Sequence, residues 1–151
     1  MMPGSVSRRV ISRRLNMIQD LLSQIQALPL NSLEAFLADS RNPATAESCL
    51  RRSLEALFDI GRHILAKGYG VAASEYKEIA RLMQKYGALA EDEARTLHKL
   101  AGYRNRMVHF YYEVSEEELY WICVRDLGDV EQIGDAYRRW VKQHPDKMEQ
   151  A

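Results

Sequence analysis

Leu97-His98-Lys99-Leu100-Ala101-Gly102-Tyr103-Arg104-Asn105-Arg106-Met107-Val108-His109-Phe110-Tyr111-Tyr112-Glu113-Val114 is the stretch on which the reading of this chain turns. On a helical wheel at ~100° per residue, Leu97, Leu100, Ala101, Val108 and Tyr111 share one apolar stripe, which predicts an amphipathic helix. Arg104 falls in the same stripe. A guanidinium stays charged and is costly to bury alone, so it must meet a carboxylate, backbone carbonyls or a crevice open to water or an anion. Glu55 and Asp59 are carboxylates to consider, but their wheel positions lie opposite the apolar stripe of their own helix, which predicts surface roles. Asn105 and His109 stand one turn apart on the neighbouring face, with His98 and Tyr112 on that flank. An imidazole moves protons near neutral pH, and a fixed cation stabilises charge on phosphoryl oxygens, so the cluster suits phosphodiester chemistry. The same spacing also fits an arginine and a histidine that only make structural hydrogen bonds. The wheel does not choose between them.

The flanks of this segment carry helix punctuation and almost no strand-like alternation. Downstream, Ser115 and Glu118 form a capping-box pair for a helix presenting Leu119, Ile122, Cys123, Leu127, Val130, Ile133, Tyr137, Trp140 and Val141. Pro145 lies beyond its end, and Gly128 is the expected bend. Upstream, a first helix is predicted over 7–27 on Val10, Leu15, Ile18, Leu21, Leu22 and Ile25, with Pro29 closing it. A short helical turn over 32–38 follows, capped by Asn31 or Ser32. The next helix is predicted to take Asn42 as N-cap and Pro43 as first residue, to bury Leu50, Leu54, Leu57, Phe58, Ile64 and Leu65, and to stop at Gly68. Ser74 is the expected cap of a helix running to Gly87, and the segment quoted above belongs to a helix starting near Glu91. The expectation is an all-α, up-and-down bundle of four to five helices forming one domain over residues 1–151.

Composition narrows the function classes. Lys plus Arg and Asp plus Glu number 21 each, a net charge of zero, so nonspecific coating of nucleic acid is not expected and any RNA contact must be local. Cys49 and Cys123 lie far apart without ligand spacing, which predicts buried free thiols and no zinc site. His63 and His144 lie on polar stretches and read as surface residues. No apolar run has the length of a membrane span or a signal peptide, and the expected location is the cytoplasm.

Arg104-Asn105-Arg106-Met107-Val108-His109-Phe110-Tyr111 resembles the signature of the HEPN superfamily, an arginine and a histidine separated by four residues, in the form followed by x-Tyr that HepT-like toxins carry. The stretch from Ala46 to Ile64, the segment Ser74-Glu75-Tyr76-Lys77-Glu78-Ile79, and Val114-Ser115 with the acidic residues after it also resemble the family, over about Ala44 to Lys142. The resemblance implies a helical homodimer whose two motifs meet in a shared cleft. It implies a metal-independent endoribonuclease, with no cofactor, belonging to a toxin–antitoxin pair. In that reading His109 is the general base or acid on the ribose 2′-hydroxyl, Arg104 stabilises the transition state, and Asn105 orients the phosphate or the imidazole. Tyr111 matches the tyrosine that the cognate MNT-type nucleotidyltransferase antitoxin modifies with AMP, and Tyr112 is its immediate neighbour. The alternatives are a non-catalytic helical partner that docks a nucleotidyltransferase or assists nucleotide binding, and a purely structural dimerisation bundle.

Overall fold

The N-terminal apolar repeat folds as its spacing dictates. In the computed structural model, which describes residues 4–109 and 114–150, Ser7 caps α1 (Arg8–Gln26) by accepting the Val10 amide at 3.1 Å. Ile11, Leu15, Ile18, Leu21, Leu22 and Ile25 are buried along one face, against α3 (Arg41–Tyr69). Each such side chain contributes roughly 1.5–3 kcal/mol when fully buried, so this face is the main force holding α1 to the bundle. Between them α2 (Leu33–Leu37) is capped by Ser32 and buries Phe36. The long α3 is the post of the bundle: besides α1 and α2 it touches α4 (Tyr76–Lys85), α5 (Glu91–Val108), α6 (Glu116–Arg125) and α7 (Leu127–Gln143). The two ends of the described chain meet, with Val6 and Met148 forming an isolated parallel bridge, and there is no strand among the described residues.

The all-α bundle is as expected, while several boundaries differ for identifiable reasons. Seven α-helices form among the described residues, because the short turn over 32–38 is a helix of its own and the expected last helix is two. It breaks at Asp126 rather than bending at Gly128, which sits inside α7. The Asp126 carboxylate accepts the Tyr103 hydroxyl at 2.7 Å, which pins the corner to α5. Burial first, and that hydrogen bond second, push the Tyr103 phenol up to about 12. Asn42 is not the cap of α3: the helix starts at Arg41, whose amide is accepted by Asp39 at 2.9 Å, and Asn42 instead donates to the Phe36 carbonyl. Pro43 still costs nothing there, because the first four amides of a helix have no intrahelical partner. Gly68 does not stop α3. It packs against Trp140 and Val6, and Gly70, at φ 67°, ends the helix one residue after Tyr69. Ser74 gives way to Glu75 as the cap position of α4, and the Ser74 amide is accepted by the Glu78 carboxylate.

The side chains expected at the surface are partly drawn in. His63 is half-buried and accepts the Ser7 amide at 2.9 Å, and His144 stacks on Trp140. Val10 and Val108, both placed on apolar stripes by their spacing, are 38% and 45% exposed. Cys49 and Cys123 are buried free thiols as expected, and burial raises Cys123 to about 12. No helix among the described residues is long and apolar enough to cross a membrane.

Candidate active site

The last two turns of α5 present the charged cluster, and α3 and α4 supply its walls. Leu97, Leu100 and Ala101 bury the helix, so the residues that follow them by a turn emerge at the bundle surface. Arg104 is the most constrained of these. Its Nε and Nη2 both donate to Oε2 of Glu55, at 3.3 and 3.0 Å. The guanidinium lies over the Tyr76 ring at 4.5 Å from the centroid, and Tyr76 in turn stacks on Phe58 at 4.6 Å. The other Glu55 oxygen accepts from Arg51 at 3.3 Å. Glu55 is therefore the carboxylate that Arg104 requires, which corrects the surface role its wheel position predicted. Nη1 of Arg104 has no acceptor among the described residues.

Asn105 and His109 lie beside it. The Asn105 carbonyl accepts the His109 amide at 3.0 Å, the final bond of α5, after which His109 turns extended at φ −88°, ψ 120°. The imidazole is exposed. Two adjoining grooves, each of about 310 Å³, share Asn105, His109 and Lys77. One continues over Gly102 and Arg106, the other over Tyr76, Glu75 and Arg104. Arg104, Asn105 and His109 thus line one surface depression, as their spacing predicted.

Other residues of the segment separate from it. Arg106 forms a two-pronged ion pair with Glu118 on α6, at 2.5 and 2.7 Å. Their mutual hydrogen bonding raises Arg106 and lowers Glu118 from their ordinary ranges. The expected capping box is consequently half-formed: Ser115 accepts the Glu118 amide, but the Glu118 carboxylate is engaged by Arg106. His98 is exposed on an adjoining groove between α4 and α5, with Arg81, Glu91 and Arg95, and does not line the depression with Arg104 and His109. Tyr111 and Tyr112 lie outside the described residues. No group of three or more His, Cys, Asp or Glu side chains among the described residues is placed to hold a metal.

Tyr76 beneath the guanidinium and Lys77 beside it on α4 carry no pattern that singles them out, and Glu55, one of the two carboxylates considered, carries none that points to Arg104. Only the i, i+4 series Glu47-Arg51-Glu55 on α3 hints at an ionic ridge, and it does not point to α5. The resulting arrangement pairs a held cation, with one nitrogen unengaged among the described residues, and a solvent-accessible imidazole. It suits an anion that arrives from solvent and undergoes proton transfer.

Comparison with known proteins places this geometry in context. A family model described as ribonuclease HepT-like matches residues 13–136. The tRNA nuclease HepT of Aphanizomenon flos-aquae is 27% identical over 112 residues, covering 74% of this chain and 76% of that protein. Among solved structures, the tri-AMPylated Shewanella oneidensis HEPN toxin, in complex with its MNT antitoxin, superposes with a TM-score of 0.77 at 22% identity, over 86% of this chain and 97% of that one. A Bacillus subtilis cytosolic protein of unknown function gives 0.78 at 17% identity, over 95% of each chain. At such identities the structural likeness shows the shared all-α fold.

Proposed function

The chain belongs to the HepT-like ribonuclease family, and on that premise we propose that it is the toxin of a toxin–antitoxin pair, a metal-independent endoribonuclease that cuts RNA at the Arg104–His109 depression. The observation that carries this reading is the convergence of Arg104, Asn105 and His109 on one groove, with Nη1 of Arg104 unengaged among the described residues. His109 takes the proton of a ribose 2′-hydroxyl, and the 2′-oxygen attacks the adjacent phosphorus. The bond from phosphorus to the 5′-oxygen breaks, leaving a 2′,3′-cyclic phosphate, and the departing 5′-oxygen takes a proton from an imidazolium. Arg104 stabilises the charge on the non-bridging oxygens, and it does so with little reorganisation because Glu55 and Tyr76 already hold it. Asn105 orients the phosphate or the imidazole.

The working unit in this reading is a homodimer of single-domain chains, in which a second copy brings its own His109 to the cleft as the complementary acid. Val108, 45% exposed next to His109, is apolar surface that such a contact would cover. The partner is a nucleotidyltransferase of MNT type. It transfers AMP to the Tyr111 hydroxyl, with pyrophosphate leaving ATP, and the added phosphate and bulk, two residues along the chain from His109, exclude RNA.

One experiment tests the reading. The purified chain is incubated with total RNA, with and without EDTA, beside Arg104→Ala and His109→Ala. Wild-type cleavage is expected to survive the chelator, and each variant to lose roughly 100-fold or more in rate while keeping its helical circular dichroism. Cleavage that disappears with EDTA, or that persists in His109→Ala, would overturn the mechanism. Pre-treatment with the cognate nucleotidyltransferase and ATP should silence wild type but not Tyr111→Phe. Persistent silencing of that variant would move the acceptor to Tyr112 or elsewhere.

A further inference from the structure

Resting on the ribonuclease reading, we propose that Lys77 is an RNA-binding residue, whose ammonium holds a phosphate flanking the scissile one. Lys77 sits in the first turn of α4 and lines both grooves that carry Asn105 and His109, as well as the adjoining groove of His98, so it borders the motif from the α4 side. Between the walls, a Cβ added at Gly102 would meet nothing within 4 Å. The floor is therefore open where a sugar–phosphate backbone would pass from His109 toward Lys77.

Charge accounting around the depression singles this lysine out. Arg51 is taken by Glu47 and Glu55, and Arg106 by Glu118. Arg62, which also approaches the Tyr76 ring, spends its donors on Asp59 and on the carbonyls of Ala73 and Ser74. Arg104 keeps one nitrogen unengaged among the described residues, the one assigned above to the reacting phosphate. Lys77 forms no ion pair among the described residues, although Glu75 and Glu78 flank it in sequence. One Glu78 oxygen accepts the Ser74 amide, and Glu75 lines the groove without bonding the lysine. An exposed ammonium exchanges water and counterion for phosphate at little cost. As a mobile point charge, it binds ground state and transition state alike, which places its effect in substrate affinity.

The test measures kcat and KM on a single-stranded RNA, and the salt dependence of RNA binding, for wild type, Lys77→Gln, Lys77→Arg and Arg9→Gln. Arg9 is exposed and lines neither groove, so its variant controls for loss of any surface cation. Lys77→Gln is expected to raise KM roughly tenfold and to reduce the slope of log affinity against log salt by ~0.7, the contribution of one phosphate on a single strand. Lys77→Arg restores both, and Arg9→Gln leaves both as in wild type. A Lys77→Gln enzyme with wild-type KM and slope overturns the proposal, and so does a loss carried in kcat with the slope intact. Wild type that neither cuts nor binds RNA removes the ribonuclease reading and this proposal together, whereas an active wild type indifferent to Lys77 removes this proposal alone.

Discussion

Arg104 is tethered through Nε and Nη2 to a single carboxylate oxygen and held over an aromatic ring, 4.5 Å from its centroid, so its direction is set before any substrate arrives. Glu55 acts through Arg104 as a positioning residue. Removing it leaves a half-buried guanidinium free to rotate on the Tyr76 face, and misplacement by about an ångström costs on the order of 100-fold in a reaction that depends on alignment. Glu55→Ala is therefore expected to lower single-turnover cleavage by about 10- to 100-fold, and Glu55→Gln, which retains an acceptor oxygen, to fall much less. Equal losses in the two variants would show that Glu55 acts through its charge rather than by orienting the guanidinium. The Arg104 requirement for a partner was legible in the sequence, because a charge on an apolar stripe cannot stay unpaired. Which partner it takes was not, because Glu55 stands on another helix and the wheel of α3 says nothing about where α5 crosses it.

The start of α1 depends on a side chain from α3. The Ser7 amide donates to Nε2 of His63, a bond that needs the imidazole unprotonated at that nitrogen. Burial, and then the nearby Lys67 charge, depress His63, while Glu149 opposes them. With the folded value below the unfolded one of about 6.5, the unfolded chain takes the proton first as pH falls. The stabilisation is thus fully present above the unfolded value and is lost as pH drops through the folded one. The melting temperature of wild type is expected to fall between pH 7.5 and 5.5 by more than that of His63→Gln, whose amide oxygen accepts the same bond without titrating. Parallel pH profiles would remove His63 as the cause. At this scale, apolar periodicity recovered α1 almost to the residue. The break between α6 and α7 escaped it, because it is made by Tyr103 reaching Asp126 across the bundle and not by the intrinsic flexibility of Gly128.

The whole bundle is organised around α3, and its close approach to α4 and α7 is marked by Gly61, where an added Cβ would come within 2.9 Å of both Ile79 Cγ2 and the Tyr137 hydroxyl. That hydroxyl is buried without a partner among the described residues, and its ring is wedged by the core, so neither neighbour yields easily. Gly61→Ala is expected to cost about 1–3 kcal/mol in denaturant unfolding, as overpacking does. Gly128→Ala, at an open helical position, should instead be neutral or stabilising by about 0.5–1 kcal/mol. A Gly61→Ala protein as stable as wild type would mean that α3, α4 and α7 are more loosely packed than described. By itself, the sequence determined the helical class, most of the amphipathic faces and the free buried cysteines, because each is written in spacing along one segment, and the family was legible from the resemblance over about Ala44 to Lys142. Only the tertiary structure decided that Glu55, Tyr76 and Lys77 surround that motif, that Arg106 turns away to Glu118, and that His98 belongs to another groove. Those facts depend on how helices cross, and crossing is set by the summed packing of many apolar side chains, which no single segment carries.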